Sequence, residues 1–304
     1  MELYRDTVSN AARCNGSRDN STESAVVNVL VAERISAGKR RASSRPVVVE
    51  TSAGARLLKL RGAAQGTGPL VAEIIVAELA DALGFAVPPR SLIELPAQIE
   101  TADWDDELQD LLGASVGLNL GFDFLPGARD LTPAETGKVS AEMRASILWF
   151  DRLVMNPDRT ERNPNLLWWS DHLWLIDHGA ALGFQYSWAR VSESSPREQA
   201  PAPEAHLFES VVNSDELRFS DQKLASRLTR EVIQAAVEAV PDSFLLPLLQ
   251  SNAQVDTASR LVRRRAAYVA FLWKRLQPPR SFLEPRPSSA DRARGQRPSW
   301  LTQR

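Results

Sequence analysis

The stretch that decides the fold is FDRLVMNPDRTERNPNLLWWSDHLWLIDHGAALGF, residues 150–184. It holds a polar loop, Asn156–Asn165, between a helical pattern and two short apolar runs, Leu166–Trp169 and Leu173–Ile176. The two runs flank Ser-Asp-His, so they predict a small hairpin. Asp177 directly follows the second run, and a carboxylate is therefore expected at the end of a strand.

The spacing of the polar residues in this stretch fits phosphoryl transfer. Asn163 lies five positions after Asp158, and Asp177 follows further along the chain. Kinases use a loop Asp to orient the attacking hydroxyl, an Asn five positions later to help hold Mg²⁺, and a second Asp to bind the metal. We therefore expect Asp158 to be catalytic, and Asp177 and Asn163 to be metal ligands. Asp158 by itself is more typical of a turn or a helix cap, and the presence of both Asn163 and Asp177 favours the catalytic interpretation.

Two upstream residues complete this pattern. Lys59 lies in the apolar run LLKL, where a buried ammonium group needs an acidic partner. Glu73, on the next predicted helix, can supply that partner and leave Lys59 to hold the nucleotide phosphates. Two alternatives remain at this point: Lys59 could face solvent on an edge strand, and Glu78 lies on the same helix.

The predicted order of elements is a group of strands with one helix, followed by helices. Three antiparallel strands are expected first, with a tight hairpin at Ser52–Ala55, and the capping box Thr132–Glu135 predicts the start of a later helix. The predicted strands are Val26–Ile35, Val47–Thr51, Arg56–Leu60 and Ser91–Leu95. The predicted helices are Pro69–Gly84, Asp103–Leu112, Lys138–Val154, Glu204–Val212, Asp221–Leu228, Glu231–Val240 and Val255–Leu276.

This order predicts an α+β fold with two lobes of the protein-kinase type, a small antiparallel-sheet N-lobe and a larger helical C-lobe. We place a flexible segment at residues 1–24, the N-lobe and hinge at 25–127, the C-lobe at 128–277 and a disordered basic tail at 278–304. The lobe boundary follows the apolar segment Val116–Gly127. A cleft between two such lobes is the expected place for the polar motifs.

The composition excludes several classes of protein. The 304 residues are 43% hydrophobic with a net charge of −2, which is ordinary for a globular protein and argues against a general nucleic-acid binder. One cysteine, Cys14, rules out an intramolecular disulfide framework. No apolar run is long enough to span a membrane, and no signal peptide is apparent. We therefore expect a cytoplasmic protein.

The quoted residues resemble the catalytic core of the HipA-like kinases, relatives of protein and phosphatidylinositol kinases. The matching features are Asn-x-Asp-Arg, then Asn-Leu-Leu, then an apolar strand ending in Ile-Asp-His-Gly. The upstream segment KLRGAAQGTGPLVAEIIVAELADALGFAVP is similar to the lysine strand, glycine-containing loop and glutamate helix of that family, and this selects Glu73 over Glu78. The resemblance implies ATP and Mg²⁺ as cofactors and a protein Ser/Thr as the acceptor.

Some positions depart from the pattern or leave its assignment open. Thr160 stands where related lipid kinases have His, and Asn165 competes with Asn163 for the metal, although the spacing favours Asn163. The loop with Gly62, Gly66 and Gly68 matches no phosphate-binding signature, so the basic connection Ser36–Pro46 is an equal candidate to cover the phosphates.

Two neighbours of the motif and two other functions also stay open. Arg159 fits a phosphate contact or a structural ion pair equally well, and His178 is expected to orient the loop around Asp177 through hydrogen bonds. The nearest alternative enzyme is a small-molecule kinase. The alternative of another class is a non-catalytic nucleotide-binding module, which the presence of both Asp158 and Asp177 disfavours.

Overall fold

The structure, a computed structural model, describes residues 29–38, 47–101, 105–199, 204–249 and 256–284. The expected flexible segment at residues 1–24, the predicted strand start at Val26 and most of the basic connection Ser36–Pro46 lie outside these residues. Within the described ranges, no helix combines the length and apolar character needed to cross a bilayer.

Seven strands form one curled sheet in the N-lobe. They are β1 (Val29–Val31), β2 (Arg34–Gly38), β3 (Val47–Thr51), β4 (Gly54–Lys59), β5 (Arg90–Leu95), β6 (Glu100–Thr101) and β7 (Gly117–Asp123). Their order across the sheet is β1-β5-β7-β4-β3-β2-β6. The predicted meander β2–β3–β4 and its hairpin are present, but the sheet is mixed, because β1 runs parallel to β5 and β2 parallel to β6.

The run expected to form one strand over Val26–Ile35 is broken into β1 and β2. The reason is a change of hydrogen-bonding partner at the two residues between them. The Ala32 N–H donates to the Glu94 carbonyl, whereas the Glu33 N–H donates to the Glu50 carbonyl. Since β1 and β2 lie on opposite sides of the strand order, this short connection curls the sheet.

Helix α1 (Gly68–Leu83) has the ends that its sequence predicts. Pro69 lies in the first turn, and Gly84 ends the helix with φ of +84°, a conformation that glycine adopts without a steric cost. The helix is buried on nearly every side, because it packs against α5 and α6 of the C-lobe as well as in the core beside the sheet. A second helix, α2 (Asp106–Ala114), packs on a separate small core with β2, β3 and β4.

The C-lobe is helical with a small sheet. Its helices are α3 (Ala141–Leu153), α4 (Ser214–Leu224), α5 (Arg230–Glu238), α6 (Asp242–Leu245) and α7 (Thr257–Leu276). The predicted hairpin is present as β9 (Leu166–Trp169) and β10 (His172–Leu175), and β8 (Arg129–Asp130) pairs with β9. The expected α+β arrangement of a sheet-rich lobe and a larger helical lobe is therefore confirmed.

Two helix predictions in the C-lobe are wrong. In addition, α3 begins later than expected and α4 begins earlier. The capping box at Thr132 begins a 3₁₀ turn, Pro133–Lys138, while α3 has its own N-cap in Ser140, whose hydroxyl accepts the Met143 N–H. Segment 204–212 forms turns instead of a helix, because its polar backbone binds the loop around Arg159. The helix expected over Asp221–Leu228 is α4, which begins seven residues earlier, at Ser214.

The tail expected to be disordered from Pro278 is ordered in its first residues. Phe282 is 3% exposed and packs edge-on against Trp149 with ring centroids 5.9 Å apart. The Arg280 guanidinium forms an ion pair with Asp221 at 2.8 Å. Pro278–Glu284 therefore belongs to the C-lobe, and the remainder of the predicted tail lies outside the described residues.

Replacing Phe282 with alanine should destabilise the protein by about 3–5 kcal/mol, because it leaves a cavity against Trp149. Phe219→Ala is the matched control, since Phe219 is 59% exposed on α4 and should change stability by less than about 0.5 kcal/mol. Chemical denaturation of both variants measures the difference. Equal stabilities would show that the segment after α7 contributes nothing to the fold.

Candidate active site

A cavity of about 690 Å³ lies between the sheet and the C-lobe. Strand β4, helix α1, the chain after β7 and the end of β10 all contribute to its wall. Part of the lining is apolar, with Leu57, Val87, Phe122 and Leu175 among its side chains, and charged groups are also present. A concave, largely apolar site with a few converging polar groups is what a small-molecule ligand requires.

The Lys59 ammonium group joins the charged residues of this wall. Its Nζ donates to Glu73 Oε1 and to Asp177 Oδ1, the latter at 2.7 Å. Lys59 is fixed by the pairing of β4 with β7, Glu73 lies completely buried on α1, and Asp177 follows β10 with φ of +57°. The contact predicted between Lys59 and Glu73 is present, whereas Glu78 bonds to Arg90 instead.

The electrostatics follow from this burial. Burial opposes the charged form of Lys59, but the carboxylates of Glu73 and Asp177 raise its pKa above the ordinary value. Burial raises the pKa of Glu73 against the opposing effect of the Lys59 ammonium. Burial also opposes ionisation of Asp177, yet Lys59 lowers its pKa below the usual range. The lysine therefore remains charged, and Asp177 remains a carboxylate.

The two residues after Asp177 pack tightly against α1. A Cβ added to Gly179 would lie 3.2 Å from the Pro69 Cβ and 3.3 Å from Glu73 Oε1, so glycine permits this close approach. His178 is buried, and neither ring nitrogen has a hydrogen-bond partner among the described residues. The ring of His178 therefore does not orient the loop by hydrogen bonds, although the His178 carbonyl accepts the Ala181 N–H at 2.9 Å. Burial lowers its pKa to about 3, and the ring packs as a neutral group.

The loop after α3 brings the other predicted residues together. Asp158 is half-buried, and its Oδ2 accepts hydrogen bonds from Asn163 Nδ2 at 2.8 Å and Asn165 Nδ2 at 3.2 Å. Burial raises the pKa of Asp158, and the neighbouring charge of Asp177 acts in the same direction. Asp158 and the two asparagines are not among the residues that line the cavity.

The two asparagines occupy different environments. The Asn163 side chain is exposed, and Thr160 holds its backbone, because the Thr160 hydroxyl accepts the Asn163 N–H at 3.2 Å. Asn165 is buried with φ of +49°, and its carbonyl accepts hydrogen bonds from the Arg159 guanidinium and the Ile176 N–H. Thr160, which departs from the family pattern, thus closes the turn of the loop.

The sequence analysis did not identify Asp151 and His206, which are buried beneath this loop. Arg159 is fully buried, and its Nε donates to Asp151 Oδ2 at 2.6 Å, which decides in favour of the structural ion pair. Arg159 and His206 hold the pKa of Asp151 below the usual range against the effect of burial. Asp151 belongs to the sequence FDRL, on the buried side of α3. An acidic residue on that side of the helix was the one sequence feature that could have indicated this network.

The glycine-containing loop lies beside the cavity wall and is not part of its lining. A Cβ on Gly62 would lie 2.7 Å from the Ala114 backbone, and one on Gly68 would lie 2.7 Å from the Tyr186 ring. Gly66 adopts φ of +64° with open space around it. Close packing explains Gly62 and Gly68, and a phosphate contact by this loop stays a prediction.

The donor groups at the site suit a metal ion whose remaining ligands come from the bound substrate. The described residues contain no group of three His, Cys, Asp or Glu side chains that could hold a metal ion by themselves. Mg²⁺ in nucleotide enzymes is held by one or two carboxylates together with substrate phosphates. Asp177 with one asparagine amide oxygen is such a partial donor set, so these residues fit the ion.

The contact between Lys59 and Glu73 should be strongly coupled in a double-mutant cycle of Lys59→Met and Glu73→Leu. Lys59→Met leaves the buried carboxylate of Glu73 without its cation and should cost about 3–5 kcal/mol, whereas Glu73→Leu leaves Lys59 its contact with Asp177 and should cost less. Removing both should cost less than the sum of the two single changes. Denaturation of the four proteins measures the coupling. The exposed pair Lys223–Glu142 is the matched control, with an expected coupling below about 1 kcal/mol. Additive effects at Lys59 and Glu73 would contradict the buried ion pair.

Comparisons with known proteins identify the family. The model of the HipA-like kinase family matches residues 31–266. Curated proteins give no match. Among solved structures, the crystal structure of a Helicobacter pylori proinflammatory kinase, CtkA, is similar at 10% identity and a TM-score of 0.48, over 82% of this chain and 98% of that chain. Because the family match spans most of the sequence, this chain belongs to the HipA-like kinase family and is a phosphotransferase.

Proposed function

We propose that this kinase uses ATP and Mg²⁺ to phosphorylate a hydroxyl group, and that the acceptor is a serine or threonine of a protein. The observation that carries the proposal is the Lys59 ammonium, held between Glu73 and Asp177 in the wall of the cavity. Ligand cavities are typically about 300–1,000 Å³, and this one, at about 690 Å³, lies within that range. The family membership supports the same assignment.

The roles of the cavity residues follow from their contacts. Lys59 has a charged ammonium that Glu73 holds in place, so it can donate to nucleotide phosphates without losing its buried partner. Asp177 keeps its charge and lies beside that lysine, where it can bind a divalent metal. Mg²⁺ held there would supply positive charge that stabilises the negative charge developing during phosphoryl transfer.

We assign the second metal contact to Asn163 and a structural role to Asn165. The Asn163 side chain is exposed, and its amide donates a hydrogen bond to Asp158 at 2.8 Å. Asn165 is buried, and its backbone carbonyl anchors both Arg159 and the chain that leads to Asp177. A side chain that binds the metal must be accessible to the bound nucleotide, so the exposed amide of Asn163 is favoured over the buried Asn165.

Asp158 is the proposed catalytic acid–base group. Its carboxylate would orient the acceptor hydroxyl and take its proton, while the hydroxyl oxygen forms a bond to the γ-phosphorus. The bond from that phosphorus to the oxygen bridging the β-phosphate breaks, and the electron pair leaves with ADP. The raised pKa of Asp158 supports this role, because a more basic carboxylate accepts the proton more readily.

The cellular setting of this reaction is also part of the proposal. We infer a cytoplasmic kinase that acts on a protein and has no membrane or nucleic-acid partner.

We also propose residue 127 as the last residue of the N-lobe and hinge, since β8, which begins two residues later, pairs with the C-lobe hairpin.

ATP with Mg²⁺ should raise the melting temperature of the protein, and the shift should require Asp177. A ligand that binds only the folded state at 100 times its Kd stabilises it by about 2.7 kcal/mol. Asp177→Asn should abolish most of this shift. Asp171→Asn is the control, because Asp171 has a similar φ of +61° but lies in the exposed hairpin turn. Thermal melting with and without Mg²⁺ measures the effect, and no shift at millimolar ATP would contradict nucleotide binding.

Asp158→Asn should separate phosphoryl transfer from nucleotide binding. The substitution retains the shape of the side chain but removes its proton acceptor, so turnover should fall at least about 10²-fold. ATP affinity and melting temperature should change little, because Lys59 and Asp177 remain. Phosphorylation of proteins in a lysate with γ-labelled ATP measures the rate. Unchanged turnover would exclude Asp158 as the catalytic residue, and activity absent from both proteins would favour the non-catalytic module.

A further inference from the structure

A buried histidine lies directly beneath the loop that carries Asp158. His206 is 6% exposed and belongs to segment 204–212, which forms turns before α4. Its Nε2 lies 2.9 Å from Asp151 Oδ2, on the last turn of α3. Neither the sequence motifs nor the cavity lining includes this residue.

The contacts of His206 define its tautomer. The Phe208 N–H donates to Nδ1 at 3.1 Å, so Nδ1 carries no proton. The proton is therefore on Nε2, and the neutral ring donates it to Asp151. The next residue makes a second connection, because the Leu207 N–H donates to the Arg159 carbonyl at 2.9 Å. Segment 206–208 thus contacts the loop directly at Arg159 and the end of α3 at Asp151.

Two series of hydrogen bonds connect Asp151 to Asp158. Its Oδ1 accepts from Asn156 Nδ2 at 2.9 Å, and Asn156 Oδ1 in turn accepts the Asp158 N–H at 3.1 Å. Its Oδ2 accepts from Arg159 Nε as well as from His206, and Arg159 also binds the Asn165 carbonyl. The orientation of one buried carboxylate therefore determines where both ends of the loop lie.

We propose that His206 is a positioning residue for phosphoryl transfer, acting through Asp151 on the backbone of Asp158. This inference rests on the proposed function of Asp158. The hydrogen bond from His206 helps fix the plane of the Asp151 carboxylate, and so fixes the Asn156 amide that holds the Asp158 N–H. Without that donor the buried carboxylate is less completely satisfied and is free to turn toward Arg159.

The test compares His206→Ala, His206→Gln and the control His172→Ala. His172 is an exposed histidine of the hairpin turn, and its loss should leave activity unchanged. His206→Ala should lower kcat by about tenfold or more, since small displacements of a catalytic group are costly. The Kd for ATP should stay within about twofold. His206→Gln should restore much of the rate, because its amide N–H can reach Asp151. All rates are measured well below the lowest melting temperature.

Amide hydrogen exchange of residues 156–165 gives a second readout that needs no turnover. Exchange should be faster in His206→Ala and close to wild type in His206→Gln, with α1 unchanged in both. Wild-type kcat and exchange in His206→Ala would overturn the proposal, as would a glutamine variant no better than alanine. A wild-type protein that transfers no phosphate would refute the proposed function, and hydrogen exchange would then still decide whether His206 holds the loop.

Discussion

An ammonium group that is almost shielded from water sets the arrangement of the two lobes. Lys59 enters the interior on β4, where an isolated charge would be prohibitively costly, and two carboxylates from different parts of the chain meet it there. Glu73 comes from the helix beside the sheet and Asp177 from the C-lobe hairpin. The charge of Lys59 thereby connects β4, α1 and the C-lobe, and the cavity lies between these elements.

The same rule governs the loop on the C-lobe side. Asp151 is a buried carboxylate that is satisfied by an arginine, a histidine and an asparagine, and each of these donors is itself bound to the loop or to segment 206–208. Arg159 Nη2 is buried without a partner among the described residues, but the carboxylate of Asp151 is satisfied, and these directional bonds specify one backbone arrangement more sharply than apolar packing does. The loop above can then hold Asp158 in one position, because the charged groups below it are fixed.

Helix α1 connects the C-lobe to Lys59. Its N-terminus is held to the C-lobe, where the Thr67 hydroxyl donates to the Phe244 carbonyl at 2.7 Å and Gly68 packs against Tyr186. Glu73 lies little more than one turn from these contacts. The position of the glutamate therefore depends on the C-lobe as much as on the sheet, and the contact with Lys59 reports on both lobes.

Local signals in the sequence determined α1 from Pro69 and Gly84, the hairpin after the polar loop, and the order of Lys59, Glu73, Asp158 and Asp177 along the chain. These features depend on residues close together, or on a motif with constant spacing. Apart from the predicted contact of Lys59 with Glu73, tertiary structure decided which charges meet. The carboxylate of Asp151 finds His206 fifty-five positions away, and the strand expected from Val26 breaks where its hydrogen-bonding partner changes. Turns replaced the helix expected over 204–212, since no local pattern records that a buried carboxylate and a distant loop carbonyl need hydrogen-bond donors.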